Sequence, residues 1–158
     1  MQIIFSSNDE FEEELLAFRK IDLTTLKKIN PKWACGKHSD KIKTHYLLPK
    51  FGEYIIVKVK VADLLKNVEF LDFDVDKLFI DDLSSDYRVM STLKRWQQNK
   101  YVDPLTLSIN SSGEKKISIS DGRHRFKISK FLKLDKIPVA IYKPSLAIIE
   151  KILLMEKF

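Results

Sequence analysis

Five consecutive residues, Asp121-Gly122-Arg123-His124-Arg125, place a carboxylate, a glycine, an imidazole and two guanidiniums at one point of the chain. That mixture suits the binding of an oxyanion. Arginine presents fixed charge and paired N–H donors that match two oxygens of a phosphate. Glycine permits a sharp turn and a close approach of a ligand to the main chain. The element before the pentapeptide, Lys116 to Ser120, reads as a short strand. After it, His124, Ile128, Phe131 and Leu132 recur at i, i+4, i+7 and i+8, the core-facing stripe of a helix. The first turn of such a helix leaves N–H groups without partners, and its positive end disfavours the cations placed there. An anion relieves that conflict, whether a ligand or an acidic neighbour. A satisfied core histidine and arginines paired with distant carboxylates remain the plainer alternative.

The surroundings strengthen the case for an anion. Arg123, Lys127 and Lys130 fall at i, i+4 and i+7, which predicts a solvent-facing basic stripe able to meet nucleic acid. From Lys115 to Lys136 there are eight Lys and Arg, opposed only by Asp121 and Asp135.

Strand, Asp-Gly-x-His-Arg, helix, then Leu134-Asp135-Lys136-Ile137-Pro138-Val139-Ala140-Ile141 resembles the ParB/sulfiredoxin-like superfamily. That superfamily takes in the N-terminal domain of chromosome-partitioning ParB proteins, sulfiredoxin, free serine kinases and plasmid, phage and toxin-associated domains. The resemblance covers about residues 53 to 143, with Gly122 and Arg125 in the shared Gly-x-x-Arg turn and Pro104 to Ile109 in the Pro-led strand. It implies an α+β fold, a small mixed sheet with packed helices. It also implies that Gly122, Arg123, His124 and Arg125 grip a phosphate, with Arg125 making the bidentate contact. Asp121 and His124 are then the catalytic candidates, and a nucleoside triphosphate with Mg the candidate cofactor. For Asp121, ordinary Asp-Gly turn chemistry is an equal reading. Two departures matter. The position of the sulfiredoxin cysteine holds Arg123, so no thiolate is available for that reaction. The second phosphate motif of the partition proteins, Glu-Asn-x-x-Arg, has no counterpart in residues 145–158, which contain neither Asn nor Arg.

Across the whole chain, 158 residues with 44% hydrophobic and 32% charged side chains predict an ordinary globular protein with a real core. No apolar run is long enough to span a bilayer, Met1 to Phe5 lacks the features of a leader, and Cys35 has no disulfide partner. These readings predict a cytoplasmic protein without a membrane role. The net charge of +6 is patterned: eight acids lie between Asp63 and Asp86, whereas Arg88 to Lys100 holds four basic residues and no acid. Separate charged faces, or acidic and basic segments paired together, are both compatible with that pattern.

Two units are expected: a helical extension over residues 1–52 and the ParB-like domain over 53–158. Asp9 to Lys20 and Thr24 to Ile29 have helical spacing. Alternation predicts a strand over Glu53 to Val61, and Asp63 to Lys66 begins a helical turn. The acidic segment after it lacks a period and is read as loop with a short helix over Val75 to Phe79. Ser84-Ser85-Asp86 offers a cap for a helix running to Asn99. Strands over Leu105 to Ile109 and Lys116 to Ser120 form an antiparallel hairpin, a strand covers Val139 to Tyr142, and Pro144 opens a final helix.

Other chemistry is not supported. Cys35, His38 and His45 lack the fourth ligand of a zinc site. Asp72-Phe73-Asp74-Val75-Asp76 begins like a calcium loop, but Lys77 and Leu83 stand where Gly and Glu are needed. Trp96 lies on an apolar stripe and belongs in the core. Two functions are compatible with these residues. The first is a phosphate-binding domain acting on nucleotide or nucleic acid, with DNA binding and NTPase or nuclease activity within its range. The second is a catalytically inactive interaction protein, an inhibitor, effector or antitoxin-like factor that binds a protein partner.

Overall fold

In a computed structural model, residues 2–111 and 113–158 are described, with side chains left aside for 2–9 and Leu23. The fold is α+β, a mixed five-stranded sheet with helices packed on it. The chain begins with helices α1 (Gln2–Lys20) and α2 (Leu23–Leu26). Three short 3-10 turns come next, Gly36–Lys41, His45–Leu47 and Pro49–Phe51. Then come β1 (Tyr54–Lys60), α3 (Val61–Asn67), α4 (Leu83–Gln97), β2 (Leu105–Ile109) and β3 (Ile117–Asp121). Helix α5 (Arg123–Phe131), β4 (Lys136–Tyr142), α6 (Leu146–Ile149) and β5 (Met155–Glu156) complete it.

The strand order is β3-β2-β4-β1-β5. Strands β2 and β4 run parallel, and the other neighbours are antiparallel. Alternation along β1 and β4 sends Val57, Val59, Ile137, Val139 and Ile141 to one face, where they meet Leu105, Leu107, Ile117 and Ile119. Helix α5 inserts Phe126 into this layer and turns Ile128 toward a second cluster built by α1 and α4. Because α5 is packed on both sides, a single apolar stripe does not describe it. Phe126, Lys127, Ile128 and Ser129 are its buried residues, and His124 is half-buried.

The acidic segment after α3 lacks a period because individual side chains pin it across α5. Phe70 stacks on Phe126 at 5.1 Å and Phe73 meets the His124 ring edge-on at 5.1 Å, while Asp76 pairs with Lys130. The helix expected over Val75 to Phe79 is absent; Asp74 instead accepts from the N–H groups of Asp76 and Lys77. Two further corrections concern ends. Asp82, not the Ser84-Ser85-Asp86 run, caps α4 by accepting from Ser85 N–H. The final helix after Pro144 is one turn, α6, after which the chain returns as the edge strand β5 beside β1.

Asp86 has a different task. Fully buried, it accepts from Arg19 of α1 and from the N–H groups of Ile80 and Asp81. With Leu15 and Phe18, that ion pair docks α1 on α4. Trp96 is buried as expected, edge-on to Trp33, with its indole N–H given to the Lys32 carbonyl.

Candidate anion site at the β3–α5 turn

The turn is built by a bulge and a glycine. Register between β2 and β3 slips after Thr106, which pairs with Asp121 while Leu107 pairs with Ile119. The extra residue, Ser120, donates its hydroxyl to the Thr106 carbonyl. A bulge of this kind bends its strand and re-aims the neighbouring side chains. Gly122 then takes φ +104°, a conformation that L side chains rarely adopt. A Cβ there would lie 3.0 Å from Leu105 Cγ, so the close approach that demands glycine is to β2. Helix α5 begins directly afterwards without a side-chain cap; Phe126 is the first amide to bond back, to the Gly122 carbonyl at 2.9 Å.

Arg125 is committed to the chain. Its guanidinium donates to the Asp103 carbonyl at 2.6 Å and the Pro104 carbonyl at 3.2 Å, and reaches Asp121 at 3.1 Å. The expected bidentate phosphate contact is therefore not what its fork does; it ties α5 to the entry of β2. Asp121 is half exposed and directs its carboxylate at Arg125. Its role as partner in the turn is visible in the geometry.

His124 accepts or donates through Nε2 to Ser85 Oγ at 3.1 Å. Burial, followed by Lys127, Arg88, Arg123 and Arg125, pushes its pKa down to about 4. At pH 7 it is neutral, so it can meet a phosphate through a hydrogen bond and not as a cation. Four cations, Lys127, Arg88, Arg123 and Arg125, act on this ring.

The predicted basic stripe divides into three fates. Arg123 is exposed, its guanidinium 4.9 Å from the Phe73 ring centroid. Lys130 is paired with Asp76. Lys127, expected at the surface, is 1% exposed. Its Nζ lies 4.9 Å from the Phe73 ring centroid and has no hydrogen-bond partner among the described residues. Desolvation holds the ammonium below its ordinary pKa. The stripe fails because the segment carrying Phe73 and Asp76 covers a face that helical spacing alone leaves open.

A residue outside the turn completes the site. Arg88, from α4, joins Arg123 and the start of α5 in an open cleft of about 310 Å³, with Tyr87, Ser91, Thr92 and Ser120 on its walls. Arg88 and Arg123 also line a second cleft beyond His124, beside Phe73 and Asp74. Neither arginine forms an ion pair with a carboxylate among the described residues. Spacing held a trace of this: Arg88, Ser91 and Thr92 lie on one side of a helix whose other side carries Val89, Met90, Leu93 and Trp96. Nothing in the spacing joins that side to residue 123.

Among the described residues, no three His, Cys, Asp or Glu side chains come together as a group able to hold a metal. A magnesium ion bound through phosphates still draws on one or two carboxylates. The cleft supplies one carboxylate, Asp121, and Arg125 already holds it. No described helix is long and apolar enough to cross a membrane. Compared with known proteins, the chain matches no family model, no curated protein and no solved structure.

Proposed function

We propose that the protein binds a phosphate-bearing ligand, nucleotide or nucleic acid, in the cleft between α4 and the β3–α5 turn. One observation carries the reading: Arg88 and Arg123 converge on an uncapped helix start, and neither has a carboxylate partner among the described residues. Unpaired guanidiniums beside free N–H groups form a site whose missing component is an anion. Asp121 and Arg125 hold the turn in shape, and His124 offers a neutral ring at its edge. This division of labour supports binding; NTPase or nuclease action needs a base or metal carboxylate that the cleft does not single out. The resemblance of Asp121 to Arg125 to the ParB/sulfiredoxin-like turn agrees with a phosphate ligand, with Arg88 and Arg123 as the contacts in place of Arg125.

The test is a melting curve with and without pyrophosphate or nucleoside triphosphate. The ligand should raise Tm in the unaltered protein and fail to do so in Arg88→Ala with Arg123→Ala. An equal shift in that double variant would discard the site.

A second reading, an interaction protein without catalysis, is favoured by Ile80 and Tyr87, exposed large side chains that line these clefts, and by the exposed Leu71 and Leu83. Replacing Leu83 and Ile80 by Ser should then abolish recovery of one stoichiometric partner while leaving the pyrophosphate shift intact.

A further inference from the structure

On the face of the sheet opposite Val57 and Val139, alternation places Tyr54 of β1 directly across from Tyr142 of β4. Their ring centroids are 5.4 Å apart with the planes tilted by 51°, and Tyr46, from the His45–Leu47 turn, packs on Tyr54 at 5.2 Å with a tilt of 46°. Tyr46 and Tyr142 are 37% and 44% exposed. The row is held in place from below. Leu47 and Ile42 are buried against Ala34 and Ala140, whose small side chain lets the 3-10 segment sit directly on the sheet.

The row has a direction. The Tyr46 hydroxyl lies 3.2 Å from Thr106 Oγ1, and the register partner of Thr106 is Asp121, the first residue of the anion-binding turn. From Tyr54 across β4 and β2 to β3 is three strand spacings, roughly 15 Å. Two lysines lie on the segments that carry the rings. Lys50 Nζ lies 5.2 Å from the Phe51 ring centroid, and Lys143 Nζ approaches Gly52 on the strand end that carries Tyr142. Two acids oppose them: Glu53, and Asp103, whose carboxylate accepts from the N–H groups of Lys43 and Thr44 and from the Thr44 hydroxyl.

We infer that the Tyr46–Tyr54–Tyr142 row is a stacking platform for the bases of a single-stranded nucleic acid whose backbone leads to the Arg88–Arg123 cleft. Aromatic rings bind bases through their faces with little regard to sequence, and lysines along the path hold the backbone. A duplex keeps its base faces covered and cannot use the row. The separation between rings and arginines calls for several linked nucleotides, so a mononucleotide engages only the cleft. The inference rests on the phosphate reading of the turn for its polarity, but the stacking itself is separately measurable.

The experiment records the fluorescence anisotropy of labelled oligothymidylate and oligouridylate, with a duplex of equal length as control. Tyr46→Ala and Tyr142→Ala should each weaken single-strand binding about five- to a hundredfold, and Tyr142→Phe should bind as the unaltered protein does. Neither tyrosine variant should change the salt dependence, because no phosphate contact is removed. The pyrophosphate melting shift should persist in both; Tyr142→Ala should melt near the unaltered protein, and Tyr46→Ala, which leaves Thr106 Oγ1 without its partner, somewhat lower. Failure of both oligonucleotides to bind while the pyrophosphate shift persists overturns the platform and spares the cleft. Tyrosine-dependent binding without a pyrophosphate shift overturns the cleft and keeps the platform. Equal affinity for duplex, or unchanged affinity in folded Tyr142→Ala, also overturns the platform.

Discussion

Three basic side chains within one helical turn, Arg123, Arg125 and Lys127, have three different environments, and their substitutions should behave differently. Arg125 holds two carbonyls and Asp121. Hydrogen bonds to a charged group contribute about 1.5–3 kcal/mol each, and the abandoned carbonyls add a desolvation cost. Arg125→Ala should therefore lower Tm markedly with no ligand present, and Arg125→Lys nearly as much, since an ammonium lacks the planar fork. Lys127 is the opposite case. A buried amine without a hydrogen-bond partner opposes folding, so Lys127→Met should keep or raise the urea midpoint. A drop of more than about 1 kcal/mol would mean that the amine is engaged. Gly122→Ala should cost well over 1 kcal/mol, through its positive φ and the contact with Leu105.

At the level of elements, α4 joins the rest. One side holds α1 through the buried Asp86–Arg19 pair, and another presents Arg88 to the cleft. Breaking a buried pair by removing one partner costs about 3–5 kcal/mol. Asp86→Ala should show that loss in chemical denaturation, where the Ile80 and Asp81 amides lose their acceptor as well, and should speed proteolysis between residues 20 and 36, because α1 loses its tie to α4. Arg19→Ala strands the fully buried carboxylate with two amides and no cation, so it should cost at least as much near neutral pH and less in acid, where the carboxyl is protonated.

For the whole molecule, pH reports the field around the turn. The folded His124 pKa of about 4 lies below the ordinary 6.5, so the unfolded chain takes up this proton first. His124 therefore contributes full stability above about pH 6.5, and that contribution is lost as pH falls through about 4. Lys127, also lowered, works in the same sense at the alkaline end: stability rises as pH climbs from its folded pKa toward the ordinary 10.5. His124→Gln should flatten the acid limb of the Tm–pH curve by an amount that added salt reduces. Bound pyrophosphate should raise the His124 pKa, visible by NMR titration of the ring, since an anion offsets Arg88 and Arg123.

Much of the fold was legible locally. Alternation in Tyr54 to Lys60 and Leu105 to Ile109, the Asp-Gly break before Arg123, and the spacing from Leu83 to Gln97 are short-range signals. They placed the strands, the antiparallel pairing and α4 within a few residues. The site was legible only as a cluster of charge. Which cations face a ligand was decided by contacts between residues far apart in the chain: Phe73 and Asp76 cover Lys127 and engage Lys130, the Asp103 and Pro104 carbonyls occupy Arg125, and α4 brings Arg88 beside Arg123. The tyrosine row arises the same way, from strands paired across more than eighty residues and a turn laid on Ala140. Periodicity specifies which face of an element is apolar, because that depends on a residue's near neighbours along the chain. What covers the other face depends on tertiary packing, and that packing selected which charges of the basic segment stay exposed.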